Sequence, residues 1–234
     1  DRLEKTFTSV NFNMMIMIIY ALITIAIFGM WYYARYEGNF LPSPKKTFNP
    51  MMIVAIVILV PGTQFAANFI ANLTGYIRPD WLQQYNELFE TSGITDTTFV
   101  TVLYSVILAP ICEELIFRGV TMRCARKALP FALANLMQAA LFGLFHLNWI
   151  QGIYAFALGI VLGYVCERGG SIYYSMGLHL LFNLWGTLSG FFPDPGNSVV
   201  VFVVVIVVTI VSLVAGFVLF NKGRRKLPIN STGI

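Results

Sequence analysis

"ICEELIFRGV", residues 111–120, contains two adjacent carboxylates, Glu113 and Glu114, and a guanidinium at Arg118. The residues immediately before it, 100–110, carry no charge and are typical of a membrane span. Four residues separate Glu114 from Arg118, so the two side chains share one helix face and can pair. A charge at the centre of a bilayer costs roughly 3 kcal/mol even on lenient scales. Ionisable groups inside a span therefore indicate a functional site.

The composition predicts that the whole chain, like this stretch, lies in a membrane. Of its 234 residues, 57% are hydrophobic and only 11% are charged, whereas soluble domains carry about 25% charged residues. We therefore predict an all-α polytopic transmembrane bundle of about seven or eight helices, lying in a bacterial plasma membrane. Seven apolar stretches are candidate helices of the membrane region: 13–34, 51–77, 97–127, 131–147, 150–165, 172–188 and 199–220.

Residues 78–97 differ from these stretches, because their apolar side chains recur at helical spacing with acidic residues between them. This pattern predicts an amphipathic helix at the membrane interface. Neither a long linker nor an internal repeat interrupts the chain, so we predict one membrane-embedded domain, 1–234, with a catalytic core at 97–190. Lys and Arg outnumber Asp and Glu by 15 to 11, but they cluster beside spans, where they set topology. We therefore expect the bilayer as a partner and no nucleic acid.

The strongly polar residues of the later spans fall at similar depths. The chain has only two histidines, His146 and His179, and Asn183 follows His179 by four residues. Counted from the loop at 127–131, Glu113 lies roughly 21 Å and His146 roughly 22 Å along its helix. Counted from residue 170, His179 lies roughly 14 Å and Asn183 roughly 20 Å along the helix predicted at 172–188. Together with Glu114, these side chains could meet in one buried cavity.

These residue types suit the hydrolysis of a peptide bond by water. A desolvated glutamate and a histidine can act as general bases, and a second histidine with an amide can stabilise an oxyanion. Several alternatives stay open. A serine could pair with a histidine, because Ser105 lies about two turns from Glu113 on its helix and Ser175 lies one turn before His179. Two Glu and two His could hold zinc, although the HExxH spacing is absent. The chain could also be a proton-coupled transporter or a non-catalytic scaffold.

The order and spacing of three motifs resemble those of one known family. Glu113-Glu114-x-x-x-Arg118, Phe142-x-x-x-His146 and His179-x-x-x-Asn183 follow one another within 97–190. This pattern resembles the signature of the CPBP family, the CAAX protease and bacteriocin-processing (Abi) intramembrane endopeptidases, which includes the Ras-converting CAAX endopeptidase.

The resemblance implies an all-helical, glutamate-dependent intramembrane endopeptidase. Its catalytic residues would be Glu113 and His146, which activate the water, and His179 and Asn183, which stabilise the oxyanion. Three further residues would support the site: Glu114, Arg118 and Phe142.

The implied substrate is a membrane-associated peptide or lipidated protein, prenylated or otherwise hydrophobic. We expect no cofactor. The alternative is a zinc-dependent protease in which Glu113, His146 and His179 hold the metal. A bacteriocin-immunity or scaffold protein without activity is the second alternative.

Overall fold

The computed structural model describes residues 10–37, 48–92, 98–189 and 198–224. This part of the chain forms eight helices and no strand, which confirms the predicted all-helical bundle. The ends of the predicted catalytic core, 97 and 190, and the end of the predicted amphipathic segment, 93–97, lie outside the described residues. The helices are α1 (Val10–Tyr32), α2 (Pro50–Ile77), α3 (Pro79–Ser92), α4 (Phe99–Ala125), α5 (Phe131–Phe145), α6 (Trp149–Gly169), α7 (Ile172–Ser189) and α8 (Val199–Arg224).

Five of the described helices, α1, α2, α4, α6 and α8, are long and apolar enough to cross a membrane. The chain is accordingly a multi-pass integral membrane protein. The two remaining apolar helices are less complete spans. α5 has only 15 residues, or about 22 Å, against a hydrocarbon thickness of about 30 Å. α7 has 18 residues, which include His179 and Asn183.

A side chain from α8 bonds the backbone of α2 next to Pro61. Pro61 lacks an N–H and disturbs the helix at this point. The Gly62 N–H donates to Ser212 Oγ over 2.9 Å, and the Ser212 hydroxyl donates to the Ile58 carbonyl. The hydroxyl is therefore inserted between the Gly62 N–H and the Ile58 carbonyl, which would bond each other directly in a regular α-helix. A Cβ at position 62 would lie 2.8 Å from Ser212 Oγ, so this contact requires glycine.

Small residues allow α5 and α6 to pack closely. A Cβ on Gly143 would lie 2.5 Å from the Gly152 carbonyl oxygen, and one on Gly163 would lie 1.9 Å from Asn135 Oδ1. In return, Asn135 Nδ2 donates to the Ile160 carbonyl over 3.0 Å. Close approach through small residues and interhelical hydrogen bonds is typical of membrane helices.

The amphipathic helix α3 lies against the beginning of α6. Trp81 stacks on Trp149 with ring centroids 5.3 Å apart and an interplanar angle of 20°. The Arg78 guanidinium lies 4.3 Å above the Trp81 ring and also pairs with Asp80. These contacts hold α3 over one end of the bundle.

Candidate active site

The helix that carries the paired glutamates is locally wound as a π-helix. Two π segments, Leu103–Leu108 and Leu115–Met122, flank the α-helical turn Ala109–Glu114. In the first segment, the Ala109 N–H donates to the Tyr104 carbonyl, five residues back. Insertions of this kind are frequent at functional sites, because they change the direction in which side chains project.

This winding leaves one backbone carbonyl without a donor from its own helix, and the side chain of Asn183 donates to this carbonyl instead. The Ala109 N–H already bonds Tyr104, and Pro110 has no N–H. The Ser105 carbonyl therefore lacks both its α-helical and its π-helical donor. Asn183 Nδ2 on α7 donates to it over 2.8 Å. The bond fixes one amide hydrogen of Asn183 and leaves the second hydrogen and Oδ1 for another partner.

Glu114 connects α4 to α7 through a buried ion pair. Its Oε1 accepts from Arg118 Nη1 over 2.8 Å and lies 2.9 Å from His179 Nδ1. The side chains of Glu114 and Arg118 are fully buried, and that of His179 is 3% exposed. Because a carboxylate can only accept, Nδ1 of His179 carries a proton. Glu114 therefore fixes the orientation of the His179 ring.

Arg118 is in turn held by α5 and α6. Its Nη2 donates to the Gly159 carbonyl over 3.3 Å, and its guanidinium lies 4.5 Å from the centre of the Phe142 ring. Gln138 Nε2 donates to the same carbonyl over 2.8 Å. The buried charge is thus distributed over a hydrogen-bonded network that reaches three helices, which offsets part of its desolvation.

Glu113 lies on the other side of His179 and is more accessible. Its Oε2 is 3.6 Å from His179 Nε2, and 14% of its side chain is exposed. The two adjacent glutamates thus contact the two nitrogens of one imidazole. Glu114 faces the buried nitrogen and Glu113 faces the nitrogen nearer the cavity.

His146 lies at the end of α5, where it caps the helix. Its Nδ1 is 2.8 Å from the Phe142 carbonyl oxygen, which can only accept, so Nδ1 carries the proton. In the neutral ring, Nε2 then has a free lone pair. The Phe142 ring meets both imidazoles edge to face, with centroids 4.9 Å from His146 and 5.7 Å from His179. The Phe142 ring therefore packs against both His146 and His179.

One cavity of about 720 Å³ receives all four predicted catalytic side chains. Glu113, His146, His179 and Asn183 line it together with Phe142, whereas Glu114 and Arg118 lie behind its wall. Tyr85 on α3 also lines it, and burial raises the pKa of this phenol, which stays a neutral hydrogen-bonding group. Residues of α2 and α6 that belong to none of the three motifs also line it, including Gln64, Asn68, Gln151 and Tyr154.

The side chains of the two alternative chemistries are placed as follows. Ser105 Oγ donates to the Thr101 carbonyl, and Ser175 Oγ donates to the Ile172 carbonyl, so both hydroxyls bond their own helices. A catalytic zinc ion takes three protein ligands. Within the described ranges, no group of three or more His, Cys, Asp or Glu side chains is arranged to hold a metal.

The sequence did not reveal several residues of the site. Gln138 and Asn135 are buried amides on α5 that bond α6 carbonyls, and their spacing by three residues was the available signal. Pro110 and the Ser105 carbonyl position Asn183, but the π winding on which this depends has no sequence signature here. Gln64 lies outside the three motifs.

The comparison with family models agrees with the three motifs. Residues 95–185 match the model described as type II CAAX prenyl endopeptidase Rce1-like. The match confirms the resemblance to the CAAX protease family. No curated protein and no solved structure matches the chain. The matched residues include every CAAX protease motif residue from Glu113 to Asn183.

Proposed function

We propose that the chain is an intramembrane endopeptidase that hydrolyses a peptide bond by water activated at Glu113 and His146. The observation that carries this proposal is the convergence of Glu113, His146, His179 and Asn183 on one cavity. The match to a family of CAAX endopeptidases supports the same reaction class. Glu113 is the more exposed of the two glutamates, as a base that must reach water requires.

The charges of the site support a hydrogen-bond donor role for His179. The carboxylates of Glu114 and Glu113 flank the two ring nitrogens of His179, Glu114 at 2.9 Å from Nδ1 and Glu113 at 3.6 Å from Nε2. With hydrogen on both nitrogens, the ring would donate from Nδ1 to Glu114 and from Nε2 towards the cavity.

The proposed reaction uses one water for each bond cleaved. The Glu113 carboxylate takes a proton from water, oriented by His146 Nε2, and the oxygen attacks the scissile carbonyl carbon. The oxyanion accepts hydrogen bonds from His179 Nε2 and Asn183 Nδ2. When the C–N bond breaks, Glu113 returns the proton to the departing amine. The products are a new carboxyl terminus and a new amine.

The substrate class follows from the place of the cavity and from the family. The cavity lies among helices that cross the membrane, so a membrane-associated peptide or lipidated protein can reach it. The family description reads type II CAAX prenyl endopeptidase, and from these words we propose prenylated CAAX proteins as the substrate class. We propose no cofactor. The alternative is a zinc-dependent protease in which Glu113, His146 and His179 hold the metal.

The test is cleavage by purified protein in proteoliposomes. The probe is an internally quenched peptide ending in a farnesylated Cys-aliphatic-aliphatic-X sequence, compared with its unprenylated form. Mass spectrometry in H₂¹⁸O should show one new carboxyl terminus carrying one ¹⁸O atom. Folded wild-type protein that cleaves neither probe would favour the alternative of a non-catalytic scaffold.

A further inference from the structure

Two amide side chains on α2, Gln64 and Asn68, line the cavity but belong to none of the three motifs. Gln64 is only 7% exposed, and its Oε1 has no hydrogen-bond partner among the residues that the structure describes. Its Nε2 reaches Asn68 Oδ1 only over 3.4 Å, a long and weak bond. A buried acceptor without a donor is unfavourable, and a ligand that supplies a donor removes this penalty.

The pair lies next to the proposed oxyanion site. A Cβ built on Gly186 would lie 3.8 Å from Gln64 Nε2, and Gly186 follows Asn183 by three residues, which is about one helical turn. Gln64 thus faces the part of α7 that carries Asn183. Pro61 lies about one turn before Gln64 on the same helix, next to the Gly62 N–H that donates to Ser212.

The spacing of the two amides suits an extended peptide. Side chains four residues apart on a helix are separated by about 6 Å along its axis. Alternate residues of an extended chain are separated by about 6.6 Å. Each amide offers both a donor and an acceptor, as a peptide backbone does. Such a pair can therefore bind backbone groups without selecting side chains.

We propose that Gln64 and Asn68 form a backbone-binding subsite, which holds two alternate residues of the peptide substrate beside the scissile bond. The subsite rests on the proposed function, since it positions the substrate of that same reaction. It assigns part of substrate recognition to α2, outside the matched residues 95–185. The subsite explains the unpaired oxygen of Gln64 as an acceptor for a substrate N–H.

The test uses Gln64→Met and Asn68→Leu, which remove the amides and keep much of the volume. With the farnesylated probe, each should lower kcat/KM by about three- to tenfold, as expected for one lost hydrogen bond. The matched control is Asn72→Leu, because Asn72 lies one turn further along α2, is exposed and does not line the cavity. The melting temperature of Gln64→Met in detergent should be unchanged or raised, because the variant removes an unpaired buried oxygen.

A second measurement identifies the substrate group. In a series of probes, each with one backbone N–H replaced by an ester oxygen, one ester should impair cleavage by the wild type but cause no further loss in Gln64→Met. Equal ester effects in both proteins, wild-type kcat/KM in both variants, or a lowered melting temperature of Gln64→Met would overturn the subsite alone. Absence of cleavage by the wild type would overturn the proposed function and the subsite with it.

Discussion

Replacement of Asn183 separates catalysis from packing, because its amide serves two partners. One Nδ2 hydrogen bonds the Ser105 carbonyl, and the other is available to the oxyanion. Loss of an oxyanion donor typically lowers kcat by about 10²–10³. Loss of the bond to Ser105 should cost about 1 kcal/mol of stability, because Ser105 lines the cavity and water can replace the amide there.

The assay combines turnover of the farnesylated probe with thermal unfolding in detergent. We expect Asn183→Ala to lower kcat far more than it changes KM, with a modest fall in melting temperature. Asn183→Asp should be at least as damaging at neutral pH, because an ionised carboxylate repels the oxyanion. Thr187→Val is the control, since it removes a hydroxyl one turn further along α7. Near-full kcat in both Asn183 variants would refute the oxyanion role and leave Asn183 as a link between helices.

Three further predictions follow from the buried contacts. Arg118→Met should destabilise the protein by about 3–5 kcal/mol in denaturant titrations, because it leaves the buried Glu114 carboxylate without its guanidinium partner and bonded only to His179. Adding Glu114→Leu should restore stability but not activity, and equal instability of the double variant would contradict this. Gly163→Ala should cost about 1–3 kcal/mol, because its Cβ meets Asn135, whereas Gly177→Ala, which meets nothing within 4 Å, should be neutral. Prolonged treatment with phenanthroline should leave kcat unchanged, and loss of activity restored by stoichiometric zinc would support the metal-dependent alternative.

The sequence predicted the helical architecture and the neighbours in the site, because both depend on simple regularities. Long apolar stretches separated by polar loops predict spans, and helical rise alone brought Glu113 and His146 to similar depths. The structure brings both to one cavity with His179 and Asn183. Their individual catalytic roles stay predictions.

The finer geometry depends on packing that no spacing rule reveals. Adjacent glutamates project about a quarter turn apart, and only the position of α7 determines that Glu114 bonds His179 Nδ1 while Glu113 faces Nε2. The partner of Asn183 depends on the π winding around Pro110. The position of Gln64 depends on how α2 packs against α7. This packing brings together residues that are far apart in sequence.

The central claim is that the Glu113 carboxylate activates the attacking water, and chemical rescue tests it most directly. Removal of a general base typically lowers kcat by about 10²–10⁴. We expect Glu113→Gly to lose turnover of the farnesylated probe to this extent while it keeps its melting temperature, and we expect sodium formate to restore part of the lost rate. Turnover by Glu113→Gly close to that of the wild type would contradict the claim.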